Sequence, residues 1–157
     1  MRKFIFIISA FSFLLAVSCT NGDQTADAEA EIELPEEGIE ITGAWARPGR
    51  QNGVTAVYMN VANGSAETDT LVSLSSPVSG LVELHETYER ENDMMGMREV
   101  EEPIFPGNSA VVMRPGGLHI MLMQLQQVLN EGDSLELTVE FSLNGSKTLT
   151  VPVQSPN

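Results

Sequence analysis

The chain has 157 residues, with 22 Asp and Glu against 8 Lys and Arg, giving a formal net charge of −14. That length suits one domain with a real core once a leader is removed, and so acidic a surface excludes the basic patches that nucleic-acid binding needs. The single cysteine, Cys19, excludes a disulfide framework, so any soft-metal chemistry in the folded domain must use methionine rather than thiolate.

Residues 1–18 read as an export signal: Arg2-Lys3 form a basic n-region, Phe4 to Val17 an apolar h-region, and Ser18 a small residue at the junction. The apolar run is too short for a comfortable membrane span. Leu14-Leu15-Ala16-Val17-Ser18-Cys19 resembles a bacterial lipobox, with Ala16 where Leu is more usual. On that reading Cys19 is lipidated, and the protein is a membrane-anchored lipoprotein of the cell envelope facing the periplasm. Ordinary cleavage after Ser18 is the alternative, and it would leave an unpaired thiol. Losing Arg2 and Lys3 leaves 6 basic residues and a net charge of −16. Residues 19–37, rich in Ala and Glu, have the composition of a disordered acidic tether.

From residue 38 to 157 the texture is of short β-rich runs between turn residues, which predicts an all-β sandwich or barrel. Strands are expected near Ile39–Ala46, Thr55–Ala62, Thr70–Ser75, Leu81–Tyr88, Met94–Val100, Ser109–Met113, Leu118–Leu125, Ser134–Leu143 and Lys147–Val153. Asn144-Gly145, between two alternating runs, signals a two-residue hairpin. Gln124 to Asn130 fits a short helix or a turn.

Two of these strands carry the candidate chemistry. In Leu118 to Met123 a two-residue period puts Leu118, Ile120 and Leu122 on one face and His119, Met121 and Met123 on the other. The other histidine, His85, lies in a run that a polar turn joins to Met94–Val100. A hairpin centred on Glu91 sets His85 directly opposite Met97, and opposed residues share a face. The result is two His/Met pairs, His85 with Met97 and His119 with Met121. Imidazole and thioether suit copper, the thioether favouring Cu(I), whereas zinc prefers thiolate, imidazole and carboxylate. All four groups are neutral, so bound Cu(I) keeps its single charge; histidine can also hold Cu(II). Because metal must displace protons from imidazole, copper affinity should weaken below about pH 6. Met95 and Met123 share strand faces with Met97 and Met121, and could be auxiliary ligands or packing residues.

The spacing His85, eleven residues, Met97, twenty-one residues, His119, one residue, Met121 resembles the H(M)X10MX21HXM signature of the PCu(A)C periplasmic copper chaperones. The likeness extends through Ala44-Trp45-Ala46-Arg47-Pro48, Glu83-Leu84-His85-Glu86 and Pro115 to Met123, covering about Ile39 to Val153. Glu86 departs from the Met that the family often has there. The resemblance implies a cupredoxin-like Greek-key β-sandwich that binds copper through His85, Met97, His119 and Met121. It further implies delivery of copper to an acceptor protein, typically for the CuA centre of cytochrome c oxidase. No nucleophile elbow, phosphate loop or HExxH motif points to an enzyme. A copper buffer or resistance protein, or an interaction module with structural His and Met, are the competing expectations.

Overall fold

The computed structural model describes residues 32–155, so the expected export signal, Cys19 and the tether as far as residue 31 lie outside the described residues. Within them the chain forms ten strands: β1 (Ile39–Ala46), β2 (Val54–Asn63), β3 (Asp69–Ser75), β4 (Ser79–Glu89), β5 (Met95–Glu99), β6 (Ile104–Phe105), β7 (Ser109–Val112), β8 (Leu118–Leu125), β9 (Ser134–Phe141) and β10 (Gly145–Pro152). Among the described residues there is no α-helix, and so none long and apolar enough to cross a membrane. Nine strands fall on the segments that alternation predicts. The tenth, β6, is two residues long and too short to show a period. Gln124–Asn130 is not helical: Gln124 takes φ +55° at the end of β8, and both Leu125 and Leu129 turn into the core.

The strands form two antiparallel sheets. One runs β1-β2-β8-β4-β5, with β7 continuing beside β2 beyond β8; the other runs β10-β9-β3-β6. Their inner faces supply the core: Val57, Met59 and Val61 of β2, Leu84 of β4, and Ile120 and Leu122 of β8 meet Leu71 of β3 and Leu135, Leu137, Val139 and Phe141 of β9. Phe105 and Phe141 pack edge to face, with centroids 5.4 Å apart. Leu118 packs against the same cluster. The expected division of β8 therefore holds, with Leu118, Ile120 and Leu122 to the core and Met121 and Met123 to the outer face.

Two turns differ from expectation. Phe141 pairs with Gly145, so the β9–β10 loop has three residues, not two, and Gly145 takes φ +67°. Three-residue loops are the next commonest hairpin connections, and here the left-handed glycine is the first residue of β10. Its length is held from outside the hairpin: the buried Asp69 carboxylate accepts hydrogen bonds from the Leu143 and Asn144 N–H groups and from Asn144 Nδ2.

The β4–β5 hairpin is centred one residue later than predicted. Met97 pairs with Thr87, and His85 with Glu99. The loop closes with Arg90 N–H donating to Met94 O at 2.6 Å, and Asn92 adopts φ +65°, a conformation asparagine tolerates better than most residues. Moving the centre by one residue shifts the pairing by two, which keeps every side chain on its expected face. On the reverse face the Tyr88 ring lies over Gly96, flanked by the guanidinium groups of Arg98 at 4.9 Å and Arg90 at 5.8 Å.

Candidate metal site

The outer face of the larger sheet is ordered in rows that run across the strands. One row pairs His85 of β4 directly with His119 of β8. The next sets Glu83 of β4 opposite Met121, which in turn faces Ala56 of β2; beyond it Leu81, Met123 and Val54 form a third row. On the other side of the histidine row, Met97 of β5 faces Thr87 of β4. His85, Met97, His119 and Met121 therefore share one face, brought together by three adjacent strands. Met97 is a diagonal neighbour of His85 instead of its direct partner, a separation that long side chains still reach across.

His119 is 4% exposed although it points away from the core. Tyr58 covers it, with ring centroids 6.2 Å apart, and Trp45 stacks at 4.7 Å on Tyr58. Its Nδ1 lies 2.9 Å from Gly117 O, which also accepts the Thr87 N–H at 3.1 Å. A carbonyl can only accept, so Nδ1 carries the proton and Nε2 keeps its lone pair. This is the second interaction that typically fixes the tautomer of a metal-binding histidine. Gly116, at φ +77°, turns the chain into β8 and sets that carbonyl in place.

Met97, His119 and Met121 line an open depression of about 350 Å³ together with Tyr58, Thr87 and Arg47. His85 is not among the residues that line it; its ring centroid is 6.2 Å from that of His119. With metal–imidazole bonds of about 2.0 Å, the centroids of two imidazoles on one ion can be at most roughly 6.4 Å apart, the limit of a linear arrangement. The observed spacing thus admits one ion between the rings. His85 Nε2 is 2.9 Å from Glu83 Oε2, and both side chains are partly buried. Met97, by contrast, is 60% exposed, so the depression opens to solvent on its side. Met95 is farther out on the hairpin, opposite Glu89, and Met123 packs in the row with Leu81 and Val54; neither lines the depression. With the side chains as they stand, no three His, Cys, Asp or Glu among the described residues are placed to hold a metal together, so the ready-made donors here include thioether sulfur.

The pairing of His85 with His119 joins residues 34 positions apart, and no local signal in the sequence announces it. The Glu83–His85 contact was legible, because residues two apart on a strand share a face. Arg47 arrives from the loop after β1. Its guanidinium sits 5.6 Å over the Tyr58 ring, and its Nε is buried without a hydrogen-bond partner.

The family model described as "Putative lipoprotein LpqE-like" matches residues 39–153, the whole sandwich. The chain belongs to the LpqE-like family. A relative from Leifsonia xyli subsp. xyli, named "Putative lipoprotein Lxx21020", is 31% identical over 119 residues, covering 75% of this chain and 70% of the relative. The uncharacterized protein RP573 of Rickettsia prowazekii is 29% identical over 169 residues, covering 99% and 92%. Among solved structures, the copper-bound PCuAC domain from PmoF2 superposes with a TM-score of 0.62 at 24% identity, covering 80% of this chain and 97% of that one. The Cu(I) form of DR1885 from Deinococcus radiodurans gives 0.56 at 25% identity, covering 84% and 85%. This LpqE-like chain is accordingly a PCuAC-type domain with a cupredoxin-like β-sandwich fold.

Proposed function

We propose that the protein is an extracytoplasmic copper carrier, holding one ion through His85, Met97, His119 and Met121 and passing it to an acceptor protein. The observation that carries this reading is the direct pairing of His85 with His119, which lines an open depression with Met97 and Met121 and has its tautomer set so that Nε2 is free. Support comes from the PCuAC likeness, which includes a Cu(I)-bound structure at 25% identity. Two imidazoles and two thioethers are neutral donors suited to Cu(I).

The carrier function calls for ligand exchange rather than catalysis. His119 is buried and braced, whereas Met97 is exposed on a hairpin, so an incoming ligand of the acceptor displaces Met97 first and the histidines last. The acceptor we propose is the CuA subunit of cytochrome c oxidase or a factor that assembles it. Cys19 is proposed as a lipidated anchor that holds the domain at the periplasmic side of the envelope, a reading supported by the lipoprotein description of the family and of the Leifsonia relative. The test is titration of the domain with Cu(I) against a competing chelator, for wild type and Met121→Ala. A loss of at least tenfold in affinity is expected, and equal affinities would sink the assignment. A passive copper buffer predicts instead that deleting the gene alters copper tolerance while oxidase activity stays intact.

A further inference from the structure

Glu83 has no part in the four-residue ligand set, yet it occupies the centre of the same face. Its Oε2 lies 2.9 Å from His85 Nε2, and across the sheet it is paired with Met121. Directly opposed residues on one face have Cβ atoms about 4.5–5.5 Å apart, so the carboxylate stands between a proposed imidazole ligand and a proposed thioether ligand. It is only partly exposed, at 24%. The neighbouring acid, Glu99, also pairs with His85, but from the outer strand β5, and it is exposed.

Resting on the copper reading above, we infer that Glu83 is an oxidation-state-selective ligand, an oxygen donor that lets this site hold Cu(II) as well as Cu(I). Thioether sulfur selects Cu(I), whereas Cu(II) favours tetragonal sites of nitrogen and oxygen. With Cu(I), Glu83 stays hydrogen-bonded to the His85 ring and orients it, as carboxylates typically do for metal-binding histidines. With Cu(II), the carboxylate turns to the ion and joins the two imidazoles. Its single negative charge offsets the additional positive charge of Cu(II). This matters in a half-buried site, where uncompensated charge is costly. Arg47, which lines the depression, has its guanidinium over the Tyr58 ring.

The experiment compares wild type, Glu83→Gln and Glu99→Gln by competitive titration with Cu(I) and with Cu(II), alongside electron paramagnetic resonance of the Cu(II) form. Glu83→Gln keeps an oxygen that can accept the His85 N–H but removes the charge. It should lower Cu(II) affinity at least tenfold more than Cu(I) affinity and change the Cu(II) spectrum. The reduction potential of the bound ion should rise by about 59 mV for each tenfold of selective loss. Glu99→Gln should leave the ratio of the two affinities within twofold of wild type. If Glu83→Gln weakens both ions equally, Glu83 only orients His85 and the inference fails; it fails too if Glu99→Gln matches Glu83→Gln, because the effect is then general charge. Failure of the underlying copper reading looks different, since His119→Ala would then match wild type in both titrations.

Discussion

Replacing Asp69 tests what fixes the far end of the sandwich from the proposed site. Asp69 is 1% exposed, and its carboxylate accepts four hydrogen bonds: from the N–H groups of Thr70, Leu143 and Asn144 and from Asn144 Nδ2, at 2.7 to 3.0 Å. Burial by itself raises a carboxyl pKa, but here the Asn144 side chain and the backbone N–H groups of Leu143, Thr70 and Asn144 together outweigh it and leave the group below its ordinary value. Asp69→Asn keeps the shape but turns one acceptor into a donor that faces donors. Stranding one or two buried N–H groups costs about 1–3 kcal/mol each, so a loss of roughly 2–4 kcal/mol is expected at pH 7, allowing for relaxation. The sign of the pH dependence follows from the lowered pKa. The stabilisation is fully present above the unfolded-state pKa, near 4, and is lost as pH falls through the still lower folded value. Urea denaturation of both proteins from pH 7 to pH 2.5 should therefore show a gap that is constant down to about pH 5 and then narrows. Parallel stability curves over the whole range would refute the account. Copper affinity at pH 7 should not differ between the two folded proteins.

Two further expectations concern the site and its support. Met97→Ala should reduce Cu(I) affinity less than Met121→Ala does, and should speed copper transfer to a chelator in stopped-flow mixing, because Met97 is 60% exposed while Met121 lies beside the buried His119. A larger loss at Met97 would reverse the proposed order of ligand release. Gly64→Ala should loosen the segment before β1, since a Cβ at Gly64 would clash with the Pro35 carbonyl oxygen; limited proteolysis near residues 32–37 should quicken, and an unchanged cleavage rate would argue against that contact.

Strand positions were legible because one face of each sheet meets the core and the other does not, so hydrophobicity alternates: β9 buries Leu135, Leu137, Val139 and Phe141 and exposes Ser134, Glu136 and Glu140. Loop lengths were less so, for a physical reason at each place. The β9–β10 loop takes its length from Asp69, a residue 75 positions away from Asn144, and no feature of Asn144-Gly145 itself reveals that tie. The β4–β5 register depends on which polar residue of the turn accepts positive φ. The polar stretch around Glu91, Asn92 and Asp93 offered several centres, and Asn92 took the role. Of the site, the shared face of His119 and Met121 was readable from strand period alone, whereas that of His85 and Met97 rested on an assumed hairpin centre that the structure moves by one residue. The apposition of His85 with His119 was not, because the neighbour of a strand is chosen by the whole sandwich. Arg47 and Tyr58 reach the depression by the same long-range route.

The position of these residues bears on how a carrier can bind and release a metal without refolding. The apolar residues of β8 that face inward, Ile120 and Leu122, are almost wholly buried, so the strand is held from behind by the core whether or not an ion is present. Binding on the outer face then requires adjustment of side chains rather than repacking, and a folded domain is expected before copper arrives. The bracing of the candidate ligands is also unequal. His119 is fixed by the Gly117 carbonyl and by Tyr58, His85 by Glu83, and Met97 is exposed on β5. Such a graded arrangement keeps part of the coordination preorganised, which favours capture, and leaves one exposed thioether to yield first, which favours release. A site with all four ligands equally buried would bind more rigidly but would offer an acceptor no point of entry.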